Sequence, residues 1–319
     1  MLNLIENISP VLVAFLGILF SFFVTFLCTA KLNKYLPSDQ GRKFAHDGAL
    51  SQGKPRGAGI IFVLVFAISA LVFGQLSVEL GIYLALIIVE MLTGFFDDAA
   101  EKPWGEYLKG ALDLVVAVIT AVVYLYYNGS TIKLAIVGAE WTIPPVVYGI
   151  LTVILVWVAI NVTNCADGVD GLSSSLVLVT LGTFYIINQI TGLTSFSYPL
   201  LLFMAGLLAY LWYNATPSKL LMGDAGSRAM GFLIALASLK SGDPFLFVLV
   251  ALVILVDGGL GLVKVSLLRF LKIHILKNTT TPIHDHVRKN KGWSNTHVVF
   301  RFAIIQIIIS LVTVYLILL

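Results

Sequence analysis

The strongest constraint on this chain is a series of long apolar runs separated by short polar stretches. They fall at roughly 9–30, 57–75, 78–95, 106–127, 144–162, 171–190, 198–213, 226–240, 244–268 and 298–318. A helix needs about 20 apolar residues to cross the hydrocarbon core of a bilayer. The runs are continuous rather than alternating, which excludes a membrane β-barrel. Helices remain, because lipid offers no partner to an unpaired backbone group. The expected fold is an all-α polytopic membrane protein of about ten transmembrane helices, a single membrane domain over residues 1–319. Composition agrees, with 59% of residues hydrophobic and 12% charged, about half the charge a water-soluble surface carries. No soluble domain, repeat or low-complexity tract is read. The first run follows Glu6 rather than a basic region and is too long for a signal peptide. Cys28 and Cys165 have neither disulfide-like nor zinc-like spacing.

Lys and Arg collect on the cytoplasmic side of bacterial membranes. With the N-terminus outside, the inner loops hold Lys31, Lys34, Arg42, Lys43, Lys54, Arg56, Lys102, Lys109, Lys219 and Arg228. They also hold Lys264, Arg269, Lys272, Lys277, Arg288, Lys289, Lys291 and Arg301, leaving only Lys133 and Lys240 outside. Miscounting by one helix would destroy this asymmetry, so it supports ten spans with both termini outside. The outer stretch 128–143 alternates and carries Gly and Pro, which predicts a small extracytoplasmic hairpin. The stretch 264–277 sets Leu267, Leu268, Phe270 and Leu271 against Arg269, Lys272 and Lys277, the pattern of a helix lying along the membrane surface. No nucleic-acid partner is expected; membrane lipids are.

The acidic residues sort as sharply. Asp97 and Asp98 end the third run in GFFDD, Asp167 and Asp170 lie in NVTNCADGVDGLSSS, and Asp224 lies in LMGDAGSRAMG. All three loops fall on the inner side. Crowded carboxylates repel unless cations sit between them, and Mg²⁺ bridging a phosphorylated substrate is the usual occupant. Helix capping explains one polar residue per helix start, but not Asn164, Asp167 and Asp170 together. Nor does it explain Gly223, Gly226 and Ser227 around Asp224, a glycine-lined helix start suited to phosphate. Lys109 either pairs with Asp113 four residues on or contacts a phosphate. His284 and His286 have no Cys or further His nearby for a zinc site. The run Arg288, Lys289, Lys291 suits anionic lipid heads. Glu90, Asp113 and Asp257 lie within apolar runs, where charge is costly. Asp257 has no assigned role.

These motifs, in order, together with Asn214 and PIHDH…KGWSNTHVVFRF, resemble those of the polyprenyl-phosphate N-acetylhexosamine-1-phosphate transferases. The resemblance covers about 90–302, and the C-terminal motif is similar to that of the phospho-N-acetylmuramoyl-pentapeptide transferases. It implies transfer of phospho-N-acetylmuramoyl-pentapeptide from UDP-N-acetylmuramoyl-pentapeptide to undecaprenyl phosphate, giving lipid I and UMP at the inner face of the bacterial cytoplasmic membrane. The roles implied are catalysis by Asp97, Asp98, Asp224, His284 and His286, with Asp224 also holding Mg²⁺. Substrate binding is implied for Lys109, Asn164, Asp167, Asp170, Asn214, Gly223, Ser227 and, less directly, Lys54. A homodimer is also implied. The sequence departs from the pattern at Asp285, where the family has a middle histidine, and at GKPRGAGI, which places Lys54 and Arg56 in the first inner loop. The rival readings are the same transfer from UDP-N-acetylglucosamine, a secondary transporter, whose charges would sit near the midplane, and a non-catalytic scaffold.

Overall fold

In the computed structural model, which describes residues 9–41 and 51–319, every apolar run is helical. The first eight helices are α1 (Pro10–Leu32), α2 (Gly59–Phe73), α3 (Val78–Ala99), α4 (Glu106–Asn128), α5 (Pro145–Ala166), α6 (Leu172–Thr191), α7 (Ser197–Asn214) and α8 (Gly223–Lys240). An interrupted helix follows over 246–271, here α9, with π-helical turns at Leu255–Gly259 and Leu267–Leu271. A short α10 (Ile283–Lys291) and α11 (Asn295–Leu318) complete the chain. Seven of these, α1, α3–α7 and α11, are long and apolar enough to cross a membrane, while α2 is a shorter apolar helix. The protein is a mostly helical, polytopic membrane protein. The predicted hairpin is present as antiparallel strands Thr131–Leu134 and Ala139–Thr142, with Thr131 opposite Thr142. The expected surface helix stops at Leu271 instead of reaching 277, because Lys272 turns left-handed at φ 58°. Arg42 and Lys43 lie outside the described residues.

Helix α8 is the axle. Every residue from Gly223 to Leu239 is buried, so its surroundings are protein rather than lipid. Close approach by neighbours needs small residues. A Cβ on Gly59 of α2 would lie 2.1 Å from the Gly226 nitrogen, and one on Gly94 of α3 would lie 2.4 Å from the Asp224 carbonyl. From the axle itself, a Cβ on Gly231 would lie 2.4 Å from the Ala159 oxygen of α5. The glycines thus draw α2, α3 and α5 onto the helix that begins with Asp224. α1 packs outside on α7, where Ser21 donates to the Leu202 carbonyl at 2.7 Å.

The entry to α2 is tied to the entry to α8. Ala58 and Gly59 donate to the carbonyls of Leu221 and Met222, both at 3.0 Å, and Leu221 donates back to Pro55 at 2.8 Å. The same strap accepts a second strand of contacts, with Asp39 donating to Lys54 and Arg56 to Pro37, each at 2.8 Å. Residues 54–59 are therefore held between 37–39 and 221–222, which delivers Arg56 and Asp39 to the start of α8.

Candidate active site

Arg56 is the hub of a charged centre at this end of the bundle. Its Nε donates to Asp98 Oδ1 at 2.7 Å, Nη1 to Asp39 Oδ1 at 2.8 Å and Nη2 to Asp224 Oδ1 at 3.4 Å. Burial works against its charge, but Asp98, Asp39 and Asp224 outweigh this and raise its pKa further. At Asp39 burial likewise favours the neutral acid. The bonds from Arg56 and Ser51 prevail and hold its carboxyl below the usual range. Lys109 Nζ bridges a second pair, donating to Asp97 Oδ2 at 2.5 Å and Asp224 Oδ2 at 3.2 Å. It does not take Asp113, its neighbour four residues on. Asp113 is paired instead with Arg228 of α8 and accepts from Asn161 at 3.0 Å. Arg228 is buried inside the bundle, not placed in an inner loop.

Asp97 and Asp98 point differently. Asp97 Oδ1 accepts from the Trp104 amide at 2.6 Å, closing the turn after α3. Asp98 Oδ2 accepts from the Ala225 amide at 3.3 Å, in the first turn of α8, where the positive end of a helix suits a carboxylate. Gly223 makes this possible. It sits at φ 67°, and a Cβ there would lie 2.0 Å from Asp98 Oδ2. Asn164 donates to Ser227 Oγ at 2.9 Å, which donates to the Gly223 carbonyl at 3.0 Å. Asp97, Asp98, Lys109, Asn164 and Asp224, with Arg56, line a cavity of about 360 Å³.

A second cavity, about 390 Å³, lies across Arg56 and Asp39, lined by Lys54, Asp167, Asp170, Asn214 and Arg288 among others. Lys54 donates to Ser218 Oγ at 2.9 Å and stands 3.9 Å from Asp170. Asp170 accepts from the Ser218 amide at 3.1 Å, and Asp167 accepts from Ser173 at 2.5 Å. Asn214 uses its amide on the backbone, accepting from Gly171 and donating to the Leu220 carbonyl, both at 2.9 Å. It braces the turn that carries Asp167 and Asp170.

The histidines separate. His284 is buried against Asp257, whose two oxygens accept from its backbone amide at 2.7 Å and meet its Nδ1 at 2.8 Å. The widened turn of α9 aims Asp257 inward, so it both holds the first turn of α10 and orients the imidazole. Burial lowers the His284 pKa, but Asp257 chiefly, with Asp285 and Asp167, reverses this and leaves it raised. Its Nε2 faces the NCADGVDG turn, where a Cβ on Gly168 would meet it at 2.2 Å. His286 stands apart, its Nδ1 3.2 Å from the Thr280 amide and 2.8 Å from Asn290 Nδ2. Asp285 accepts from Arg288 at 3.3 Å. Lys102 is exposed.

Asp97, Asp98, Lys109, Asn164, Gly223, Asp224 and Ser227 are thus gathered at one centre, and Lys54, Asp167, Asp170 and Asn214 around the adjoining cavity. Asp39 carried no sequence signal, and Arg56 showed only as an unusual basic residue in its loop. Asp257 was visible as a costly charge without a partner.

Fold and site together define a polytopic helical membrane protein with a charged centre at one end of its bundle. Residues 80–242 match the family described as glycosyl transferase family 4. A phospho-N-acetylmuramoyl-pentapeptide-transferase of Treponema pallidum (strain Nichols) is 40% identical, over 89% of this chain and 84% of the relative. Proteins of the same name from Leptospira biflexa and Limosilactobacillus reuteri are 28% and 27% identical, over 92% and 96% of this chain and 90% and 98% of theirs. The chain belongs to glycosyl transferase family 4, among the phospho-N-acetylmuramoyl-pentapeptide-transferases.

Proposed function

We propose that this protein transfers phospho-N-acetylmuramoyl-pentapeptide from its UDP donor to undecaprenyl phosphate, releasing UMP and forming lipid I. The observation that carries the reading is the convergence of Asp97, Asp98 and Asp224 with Arg56 and Lys109 on one cavity, in a chain of this family. Phosphoryl transfer asks for positioning and charge neutralisation more than for covalent chemistry. Arg56 and Lys109 are placed to exchange carboxylate partners for phosphate oxygens. Asp98 or Asp97 orients the lipid phosphate and takes its proton, an easy loss for a phosphate with a second pKa of about 6. Lys54, Asp167 and Asp170 receive the nucleotide side in the adjoining cavity, with Asn214 bracing their loop. His284, fixed by Asp257, faces the same turn.

An all-oxygen donor set suits Mg²⁺, which takes one or two carboxylates, keeps waters and shares substrate phosphates. Asp224, with Asp98 in the notch left by Gly223, fits that demand. No ready-made cage of three such ligands exists among the described residues. When bound, the cation would neutralise the donor diphosphate and help UMP leave. We read ten crossings with both ends outside, in the bacterial cytoplasmic membrane. α1–α9 and α11 coincide with the ten apolar runs, and the site residues share the end where the basic loops collect.

Purified protein with undecaprenyl phosphate, Mg²⁺ and either UDP-N-acetylmuramoyl-pentapeptide or UDP-N-acetylglucosamine provides the test. UMP release is expected with the muramoyl donor and is expected to stop on chelation. Turnover only with the N-acetylglucosamine donor would overturn the donor assignment, and turnover with Asp224→Asn at the parent rate would overturn the site.

A further inference from the structure

Beneath the charged centre lies a second ionic layer, wholly inside the bundle. Glu90 and Asp113 are 0% exposed and Arg228 is 3% exposed. Arg228 Nη2 contacts Asp113 Oδ1 and stands 3.4 Å from Glu90 Oε2, while Asn161 Nδ2 donates to Asp113 Oδ2 at 3.0 Å. The layer repeats the helices of the site above it. On α8, Arg228 lies one turn after Asp224; on α4, Asp113 lies one turn after Lys109; on α5, Asn161 lies one turn before Asn164; on α3, Glu90 lies two turns before Asp97. Residues three, four or seven apart share a helix face. Each of the four helices therefore carries at least one side chain for the centre and, deeper along the helix, one for this layer.

Stability does not account for such an arrangement. Neither Glu90 oxygen nor Arg228 Nε has a hydrogen-bond partner among the described residues, so the set is not one that hydrogen bonding alone completes. Apolar side chains of similar volume commonly serve a buried position as well as or better than an ion set. What the ion set supplies is direction: a single guanidinium nitrogen, Arg228 Nη2, meets both carboxylates, so α3 and α4 must present them at one height on α8. We infer that Arg228, gripping Glu90 and Asp113, is a positioning residue that sets the relative height of α3, α4, α5 and α8. It thereby fixes the spacing of Asp97, Asp98, Lys109 and Asp224. The inference rests on the function proposed above for that centre.

The test compares the parent with the charge-free triple variant Glu90→Gln/Asp113→Asn/Arg228→Met and with Arg228→Lys. Thermal unfolding, the kcat and KM of UMP release, and Mn²⁺ affinity by electron paramagnetic resonance are measured on each purified protein. The triple variant is expected to unfold near the parent temperature while kcat falls about tenfold or more, since sub-ångström misplacement is costly to a reacting pair. KM is expected to move less than kcat, and Mn²⁺ to bind more weakly. Arg228→Lys, which keeps the charge but replaces the rigid planar guanidinium with a compact ammonium on a flexible stem, is expected to fall between. A folded triple variant with parental kcat and parental Mn²⁺ affinity overturns the inference. If the triple variant does not fold, parental kcat and Mn²⁺ affinity in Arg228→Lys overturn it equally. If even the parent releases no UMP, the functional reading has failed, and Mn²⁺ affinity alone decides for or against the layer.

Discussion

Two charged regions share the same end of the bundle and are built in opposite ways. Around Asp224, the cations are half-accessible: the Arg56 and Lys109 side chains are 16% and 24% exposed, and both face a cavity. Around His284, the pair is sealed, with His284 and Asp257 side chains 3% and 1% exposed. The first region holds several cation–carboxylate contacts that an incoming phosphate can replace without moving a helix. The second spends both oxygens of Asp257 on one neighbour. Accessible, shared contacts suit chemistry on a ligand; sealed, dedicated ones suit the holding of a shape. If this contrast is sound, damage to the first region is paid in turnover, and damage to the second is smaller and pH-dependent.

The largest effect is expected at Asp224. Asp224→Asn removes the carboxylate that both Arg56 and Lys109 touch and that is assigned to the cation. kcat for UMP release is expected to fall on the order of 10³-fold, with thermal unfolding little changed. A fall of less than tenfold would erase the distinction between the regions. Arg56→Met comes next. It strips Asp39, Asp98 and Asp224 of a common partner and deprives a phosphate of a donor, for a loss of about 10²-fold. Raising the Mg²⁺ concentration is expected to recover part of that loss, because a divalent cation can relieve the same repulsion. A defect insensitive to Mg²⁺ would place Arg56 in loop architecture alone.

Much of this is legible in the sequence. Ten apolar runs gave ten helical stretches because hydrophobicity is a local property, and the carboxylate motifs stood out because their members are near in sequence. The apolar run at 226–240 is shorter than the helix that contains it, for a physical reason. α8 is buried by protein along its whole length, so it tolerates Asp224, Arg228 and small residues that dilute its apolar signal. Ion partners were the illegible part. Lys109 and Asp113 have the spacing of a helix-face pair, yet each bonds across more than a hundred residues, to Asp224 and Arg228. Local spacing states which pairs are possible; helix packing chooses among them. Arg56 reaches Asp98 and Asp224 only because backbone bonds zip 55–59 to 221–222. Asp257 faces His284 only because the helix widens at Leu255–Gly259.

Asp257→Asn probes the sealed region, with a loss of about tenfold in kcat expected for a group that orients rather than reacts. The sign of its pH dependence follows from His284, whose pKa is raised chiefly by Asp257 against the effect of burial. A raised folded-state pKa adds stability that is fully present below the ordinary histidine value of about 6.5 and is lost as pH rises through the raised one. The thermal-stability gap between parent and Asp257→Asn is therefore expected to be widest at acidic pH and to narrow as pH rises above neutral. A gap that widens over that range would mean that Asp257 does not hold a protonated imidazole.

His286 supplies the smallest effect and the sharpest control. It lies two residues from His284, yet its ring nitrogen serves the Thr280 amide and Asn290. Asparagine retains an acceptor of similar reach, so His286→Asn is expected to lower kcat by no more than about threefold. A loss as large as that of Asp257→Asn would give His286 the same orienting part as Asp257. The sealed region would then have to be redrawn around both histidines.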